Sequence, residues 1–235
     1  MILIIRIHSV CIPTLELLTY QAESVMGVLL HSKGSKNQGI TKIRGLCKNL
    51  QIEIIENDNL VDKLSSRGNT YAIGVFQKFH STLDPAKNHL VLVHPSSMGN
   101  LGTIMRTMVG FGKHDLAVIE PAADVYNPKV IRASMGAVFQ LRTKTFPDFT
   151  DYWGSHANHS LYPLMTDGEI SLPEVIFQVP YTLVFGGEAS GLGDEYHQFG
   201  TSIRIPQDDA VDSLNLALSA GITLYHSWIN EKKHQ

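Results

Sequence analysis

Leu183-Val-Phe-Gly186-Gly-Glu188-Ala-Ser-Gly191-Leu192 joins the end of an apolar run to a glycine-rich turn. The run begins at Thr182, and its continuous apolar character is typical of a strand buried on both faces of a parallel sheet. The glycines that follow indicate a tight turn whose backbone can approach a ligand closely. Because ligands of parallel sheets bind beyond the carboxyl ends of the strands, we take this turn as a candidate binding site.

Strand-like and helical segments alternate on both sides of this turn. Helical spacing predicts a long last helix from about Ser213 to Asn230. It also predicts shorter helices between the strands, at about 101–111, 128–135, 149–157, 173–177 and 195–199. The alternation predicts an α/β fold with a parallel sheet and crossover connections. Besides the run at 182–185, the predicted strands of this part are 90–94, 116–119, 140–145, 161–164 and 202–205.

The residues upstream predict a second, smaller α/β domain. A polar segment at 79–88, which contains Pro85, separates them from the parallel-sheet part. We therefore place an N-terminal domain at residues 1–80 and the larger domain at residues 88–235. The predicted elements of the first are strands at 24–31, 51–56 and 71–76 and helices at 40–50 and 60–64.

Composition narrows the class of protein. The 235 residues are 43% hydrophobic and 17% charged, which excludes a largely disordered chain. Two cysteines are too few for a disulfide framework. We find neither a signal peptide nor an apolar run of about 18 residues, and so expect a cytoplasmic protein that does not enter a membrane.

The net charge of −3 conceals an asymmetry between the two parts. Residues 1–85 carry 9 Lys or Arg against 7 Asp or Glu, whereas residues 86–235 carry 10 against 15. One interpretation of the basic stretch in the first part is a solvated face, and the other is a surface for a polyanion such as RNA. Its cations include Lys33, Lys36, Lys42 and Arg44.

The glycine-rich turn lacks the signature motifs of three common kinds of active or binding site. It lacks the Gly-Lys-Ser/Thr of a phosphate-binding loop, the GxGxxG of a dinucleotide fold and the GxSxG of a hydrolase. His156 and His159 are three residues apart, but no acidic or sulfur ligand accompanies them at metal-binding spacing, so we expect no metal.

Three loops, each after a predicted strand, carry a family resemblance. Asn100-Leu-Gly-Thr-Ile-Met-Arg106-Thr107 is the first, residues 183–192 are the second, and Ile205-Pro206 followed by Ser213-Leu214-Asn215 is the third. In this order they resemble the three signature motifs of the SpoU/TrmH family of RNA ribose methyltransferases, in the SPOUT superfamily. Residues 1–80 resemble the family's small RNA-binding domain less sharply.

The resemblance implies a SPOUT domain with a deep trefoil knot, a homodimer, and methyl transfer from S-adenosylmethionine to a ribose 2′-hydroxyl of rRNA or tRNA. It assigns the donor to the backbone around Gly186, Gly187, Ile205 and Leu214, without a metal. Gly187, Ala189 and the acidic residues between 208 and 212 depart from the family pattern. A non-catalytic RNA-binding relative of the same fold remains the alternative, and a nucleotide-dependent oxidoreductase is disfavoured by the missing glycine fingerprint.

The resemblance also implies roles for five side chains. Arg106 would act on the ribose, either as the base or, since a guanidinium stays protonated in proteins, by gripping a phosphate and stabilising the alkoxide. Asn100, Ser213 and Asn215 would orient Arg106 and the ribose, and Glu188 would anchor its loop. Lys33, Lys36, Lys42 and Arg44 would contact RNA phosphates.

Overall fold

The structure is a computed structural model, and it describes residues 2–4, 11–65 and 70–233. Its strands are β1 (Ile2–Ile4), β2 (Val25–Leu30), β3 (Ile54–Glu56), β4 (Ala72–Gln77), β5 (His89–Val93), β6 (Asp115–Ile119), β7 (Arg142–Phe146), β8 (Ser160–Leu164), β9 (Ile170–Ser171), β10 (Tyr181–Phe185) and β11 (Ile203–Arg204). Its α-helices are α1 (Ile12–Tyr20), α2 (Gln38–Leu50), α3 (Asp58–Leu64), α4 (Met98–Gly110), α5 (Pro128–Ala133), α6 (Phe149–Ser155) and α7 (Leu216–Lys233).

The chain divides into two compact units. The first contains residues 1–80 and 124–140, and the second contains residues 81–123 and 141–235. The predicted domain boundaries stay a prediction, and they differ from these units chiefly at residues 124–140. That segment belongs with the first unit because Phe76 packs edge-on against Phe139, at a centroid distance of 5.3 Å.

The first unit is built on a four-stranded mixed sheet in the order β1-β4-β2-β3. β2 pairs antiparallel with β4 and parallel with β3. One core cluster joins Leu18 of α1, Val28 of β2 and Ile43 of α2, all of them fully or almost fully buried. Helix α1 was not predicted, although a proline in a first helical turn is a recognised start signal.

The second unit contains a seven-stranded sheet in the order β7-β6-β5-β10-β8-β11-β9, and every pairing in it is parallel. The predicted α/β fold with a parallel sheet is therefore confirmed. Strands β5, β6 and β10 are buried at every position, which explains why they are mostly apolar, with His89, Asp115 and Thr182 as the exceptions. Each large apolar side chain buried there contributes roughly 1.5–3 kcal/mol.

Strand β11 lies between β8 and β9, which precede it in the chain and are joined by residues 165–169. Gly168 of that connection lies directly against the backbone of Ile203 in β11. A Cβ atom at Gly168 would be 2.3 Å from the Ile203 carbonyl carbon. Strand β11 therefore packs directly against the connection between β8 and β9, which precedes it in the chain.

Three predicted helices of the second unit differ from the structure. The predicted helix near 173–177 is a single 3-10 turn at Leu172–Glu174, and that near 195–199 is a 3-10 segment at Asp194–Phe199. The last helix begins at Leu216 rather than Ser213, because Asn215 provides its N-terminal cap. Within the described ranges, no helix is long and apolar enough to cross a membrane.

Candidate active site

A cavity of about 930 Å³ opens at the carboxyl ends of β10, β8 and β11, three neighbouring strands of the parallel sheet. We call it the loop cavity. A volume of this size is at the upper end of the range for small-molecule sites. Its lining comprises residues 164–167, 185–192, 194, 204–207, 209, 211–214, 216 and 219.

The structure brings most of the expected donor-binding residues together at this cavity. Gly186, Gly187, Ile205 and Leu214 all line it, as do Glu188 and Ser213. Ile205 and Leu214 are half-buried, as expected for cavity walls rather than for interior packing. The sequence analysis missed the lining loop after β8, residues 164–167, because no pattern in the sequence shows that β8 is adjacent to both β10 and β11.

Gly186 allows the loop after β10 to return onto its own beginning. A Cβ atom at this position would lie 2.0 Å from the Gly191 carbonyl carbon and 2.4 Å from the Leu192 nitrogen. The return is closed by a hydrogen bond from the Gly191 amide to the Gly187 carbonyl, 3.0 Å long. No side chain fits at Gly186 without displacing backbone, so the glycine is a requirement of this loop.

Glu188 joins the loop after β10 to the loop after β5. One carboxylate oxygen accepts hydrogen bonds from the Ser96 amide at 3.1 Å and the Ser96 hydroxyl at 2.9 Å. The other accepts from the Ser97 amide at 3.1 Å and from Asn100 Nδ2 at 3.2 Å. Partial burial opposes the charged form, but these donors outweigh it and hold the pKa of the Glu188 carboxyl below its ordinary value.

Asn100 continues this network to the third loop. Its Oδ1 atom accepts a hydrogen bond from Asn215 Nδ2 at 3.3 Å. Asn215 in turn caps helix α7, because its Oδ1 atom accepts from the backbone amide of Ala217 at 2.9 Å. One residue from each of the three loops, Glu188, Asn100 and Asn215, is therefore linked by side-chain hydrogen bonds.

Arg106 lies apart from these residues on the surface of α4. It is exposed and is not among the residues that line the loop cavity. The ion pairs of the described residues do not include it. The structure thus does not bring Arg106 to the loop cavity, and its expected role on the ribose stays a prediction.

Charge around the loop cavity is predominantly negative. Among the described residues that line it, the only basic side chain is Arg204, whose guanidinium donates to the carbonyl oxygens of Gly168 and Glu169. The resulting surplus of negative charge favours a cationic ligand over an anionic one. The carboxylates of the lining belong to Asp167, Glu188, Asp194, Asp209 and Asp212.

The four cations expected to contact RNA lie on α2 and in the turns before it. Lys33 and Lys36 are exposed in the turns before that helix, and Lys42 is exposed on it. Arg44 differs, since it forms an ion pair with Glu56 at 2.7 Å. Among residues 11–65 and 70–233, no group of three or more His, Cys, Asp or Glu side chains is arranged to hold a metal ion.

Comparison with known proteins identifies the family. The model of the SpoU rRNA Methylase family matches residues 87–225, more than half of the chain. The chain belongs to the SpoU rRNA methylase family. The matched region of this SpoU protein contains the whole loop cavity and all three loops joined by the Glu188 network.

Individual relatives agree with that assignment. The SpoU chain is 32% identical over 141 residues to a 23S rRNA (uridine(2479)-2′-O)-methyltransferase of Streptomyces viridochromogenes, which covers 57% of this chain and 49% of that protein. The aligned part of this chain spans about half the length of that protein and of a tRNA/rRNA methyltransferase of Synechocystis.

Solved structures share the fold. The crystal structure of the SpoU methyltransferase AviRb from S. viridochromogenes, in complex with AdoMet, superposes with a TM-score of 0.83 at 22% identity over 99% of this chain and 91% of that one. An RNA 2′-O ribose methyltransferase superposes with a TM-score of 0.79 at 25% identity over 98% and 89%. The likeness extends to nearly the full length of this SpoU chain.

Proposed function

We propose that this protein is an RNA methyltransferase that transfers a methyl group from S-adenosylmethionine to a ribose 2′-hydroxyl of rRNA or tRNA in the cytoplasm. The observation that carries the proposal is the linkage of Glu188, Asn100 and Asn215 beside the loop cavity, in a chain of the SpoU family. Side chains that are far apart in the sequence meet there, as the parts of one catalytic site do.

The loop cavity has the properties that S-adenosylmethionine requires. Its volume suits a ligand of nucleoside size, and the backbone around Gly186 and Gly187 is open to close approach. Half-buried Ile205 and Leu214 provide apolar walls for a planar base. The carboxylates of the lining complement a ligand that carries a positive sulfonium and ammonium group.

When bound, the donor supplies an electrophilic methyl group on sulfur. The protein's own contribution is to orient the ribose oxygen and to stabilise the charge that develops on it. Asn100 and Asn215 are held by hydrogen bonds on defined sides, so each directs its amide with little loss of side-chain freedom. Ser213 lies at the cavity beside them, where its hydroxyl can contact the ribose.

Arg106 is assigned to the RNA rather than to the donor. Its guanidinium is exposed and forms no ion pair with the described residues, so it is available to an incoming phosphate or alkoxide. It remains protonated in proteins, which favours charge stabilisation over proton abstraction. The donor cavity lies elsewhere, so the loss of Arg106 should spare donor binding.

The RNA also contacts the first unit in this proposal. Lys33, Lys36 and Lys42 make no ion pair with the described residues and are exposed, as phosphate-binding cations must be. Arg44 contributes less than the sequence suggests, because its charge is shared with Glu56. The contacts are electrostatic and carry little sequence information.

A second copy of the chain covers the exposed face of α7. Leu218, Tyr225 and Trp228 remain 54%, 52% and 37% exposed, and Phe111 lies 6.0 Å from each of the two aromatic rings. Such a contiguous apolar face is rare on a monomer, and a twofold dimer would cover the same face on both copies.

We also assign a trefoil knot, supported by the close packing of β11 against the loop that contains Gly168.

The function is tested with radiolabelled S-adenosylmethionine and total rRNA or total tRNA. We expect label in one of the two RNA classes, at a position resistant to alkaline cleavage. Arg106→Ala should lower the rate by about 10²–10³, the usual effect of losing one electrostatic donor, and leave donor affinity within twofold. RNA binding without any methyl transfer would instead support the non-catalytic alternative.

A further inference from the structure

Glu188 is exposed, and its carboxylate accepts hydrogen bonds from four donors among the described residues. Each of its two oxygens faces one backbone N–H, that of Ser96 or that of Ser97, and neither backbone donor can reverse its polarity. The other two donors are the Ser96 hydroxyl and Asn100 Nδ2. These contacts favour an ionised carboxylate over a side chain that brings a donor of its own.

The polarity of Glu188 is passed on to two side-chain amides. Because Asn100 must turn its NH2 group towards the carboxylate, its oxygen faces the opposite way, towards Asn215. Asn215 must then present its NH2 group to Asn100 and its oxygen to the amides of Ala217 and Leu218 at the start of α7. Each link determines the next, since an amide has a donor at one end and an acceptor at the other.

We propose that Ser96 is a further positioning residue of this site. It holds Glu188, which accepts the last hydrogen bond of a series that runs from Asn215 to Asn100 and from Asn100 to Glu188. We call this series the amide chain. The inference deepens the proposed function and rests on it for the meaning of the site. Ser96 is singled out because its hydroxyl and its amide both bond the oxygen of Glu188 that Asn100 does not use. The loop after β5 thereby orients the start of the last helix.

The arrangement makes Glu188→Gln an unusually disruptive substitution. A glutamine is nearly isosteric with glutamate and is commonly a mild replacement. Here its NH2 group would confront either the Ser96 amide or the Ser97 amide, whichever way the side chain turned. We therefore expect Glu188→Gln to disturb Asn215 at least as strongly as Ser96→Ala does.

The experiment observes the side-chain NH2 resonances of Asn100 and Asn215 in the full-length protein labelled with 15N-asparagine. In Ser96→Ala we expect the Asn215 resonances to shift and their exchange with solvent to quicken by up to about tenfold, the value of one neutral hydrogen bond. Ser96→Thr keeps the hydroxyl and should restore both. Ser155→Ala is the matched control, because Ser155 also donates a hydroxyl hydrogen bond at 2.9 Å but lies on α6.

Unchanged Asn215 resonances in a folded Ser96→Ala protein would overturn the proposal. Failure of Ser96→Thr to restore them would also overturn it, since the hydroxyl would then not be the active group. If Glu188→Gln does not fold, the Ser96 pair alone decides the question. The resonances are measured without RNA or donor, so an intact amide chain in a protein without methyl transfer would refute only the proposed function.

Discussion

Gly186→Ala tests whether donor binding depends on the close packing of Gly186 against Gly191 and Leu192 in the loop after β10. The new Cβ atom would lie 2.0 Å from the Gly191 carbonyl carbon and 2.2 Å from its oxygen. Carbon atoms in contact prefer about 3.5–4.0 Å, so the two backbone segments must separate by roughly 1.5 Å. Gly186 follows directly on the buried strand β10, so we expect the outer part of the loop to move.

The size of the effect follows from these distances. Overpacking costs about 1–3 kcal/mol, and loss of the bond from the Gly191 amide to the Gly187 carbonyl costs about 1 kcal/mol more. A displacement of roughly 1.5 Å also exceeds what a donor–acceptor contact tolerates. We expect the affinity for S-adenosylmethionine to fall at least about tenfold, which corresponds to 1.4 kcal/mol.

Isothermal titration calorimetry measures the donor affinity, and urea unfolding measures the free energy of unfolding. Gly154→Ala on α6 is the control, because a Cβ atom there meets nothing within 4 Å. It should leave donor affinity unchanged and stabilise the protein by up to about 1 kcal/mol through lower chain entropy. Gly186→Ala with donor affinity within twofold of the parent protein, and with unchanged stability, would refute the reasoning.

Three further predictions concern RNA binding, assembly and acid stability. The combined change of Lys33, Lys36 and Lys42 to Ala should weaken RNA binding and reduce the slope of log Kd against log salt by about 2, with donor affinity unaffected; an unchanged slope in filter-binding assays would contradict the phosphate contacts. If the proposed dimer forms through α7, Leu218→Glu should give a folded monomer in light scattering, because a carboxylate would have to be buried at the twofold face. Burial lowers the pKa of His89 to about 4, so the unfolded chain binds the proton more readily than the folded protein between pH 4 and pH 6.5. The free energy of unfolding should therefore fall as the pH drops through this window, by about 3 kcal/mol from this residue. In urea titrations at several pH values, His89→Gln should flatten this dependence.

Much of the second unit was predictable because its strands carry strong local signals. A strand with both faces covered is mostly apolar, and β5 and β10 are so apart from His89 and Thr182, whose polar atoms are hydrogen-bonded. The chain direction places the following loops at one edge of a parallel sheet, and the family resemblance implied that Gly186 and Ile205 bind the donor there. Helix α1 and the short strand β9 were missed because each carries a weak periodic pattern.

The side-chain partners within the site were not predictable. Ser96 is an ordinary polar loop residue in the sequence, and only the structure shows that it donates twice to Glu188. Arg106 does not line the loop cavity, and its expected contact with the ribose stays a prediction. Hydrogen-bond partners 88 to 115 residues apart, as in the amide chain, leave no trace in local composition.

The class of fold could be predicted from the sequence alone, because the burial of a strand and the backbone requirements of a tight turn act on each segment separately. The family was indicated by the resemblance of three motifs to known sequences. The strand order, the position of β11 between β8 and β9, and the contribution of residues 164–167 to the cavity are visible only in the structure. Pairing between parallel strands depends on contacts between distant segments, and any buried apolar strand satisfies the same local pattern.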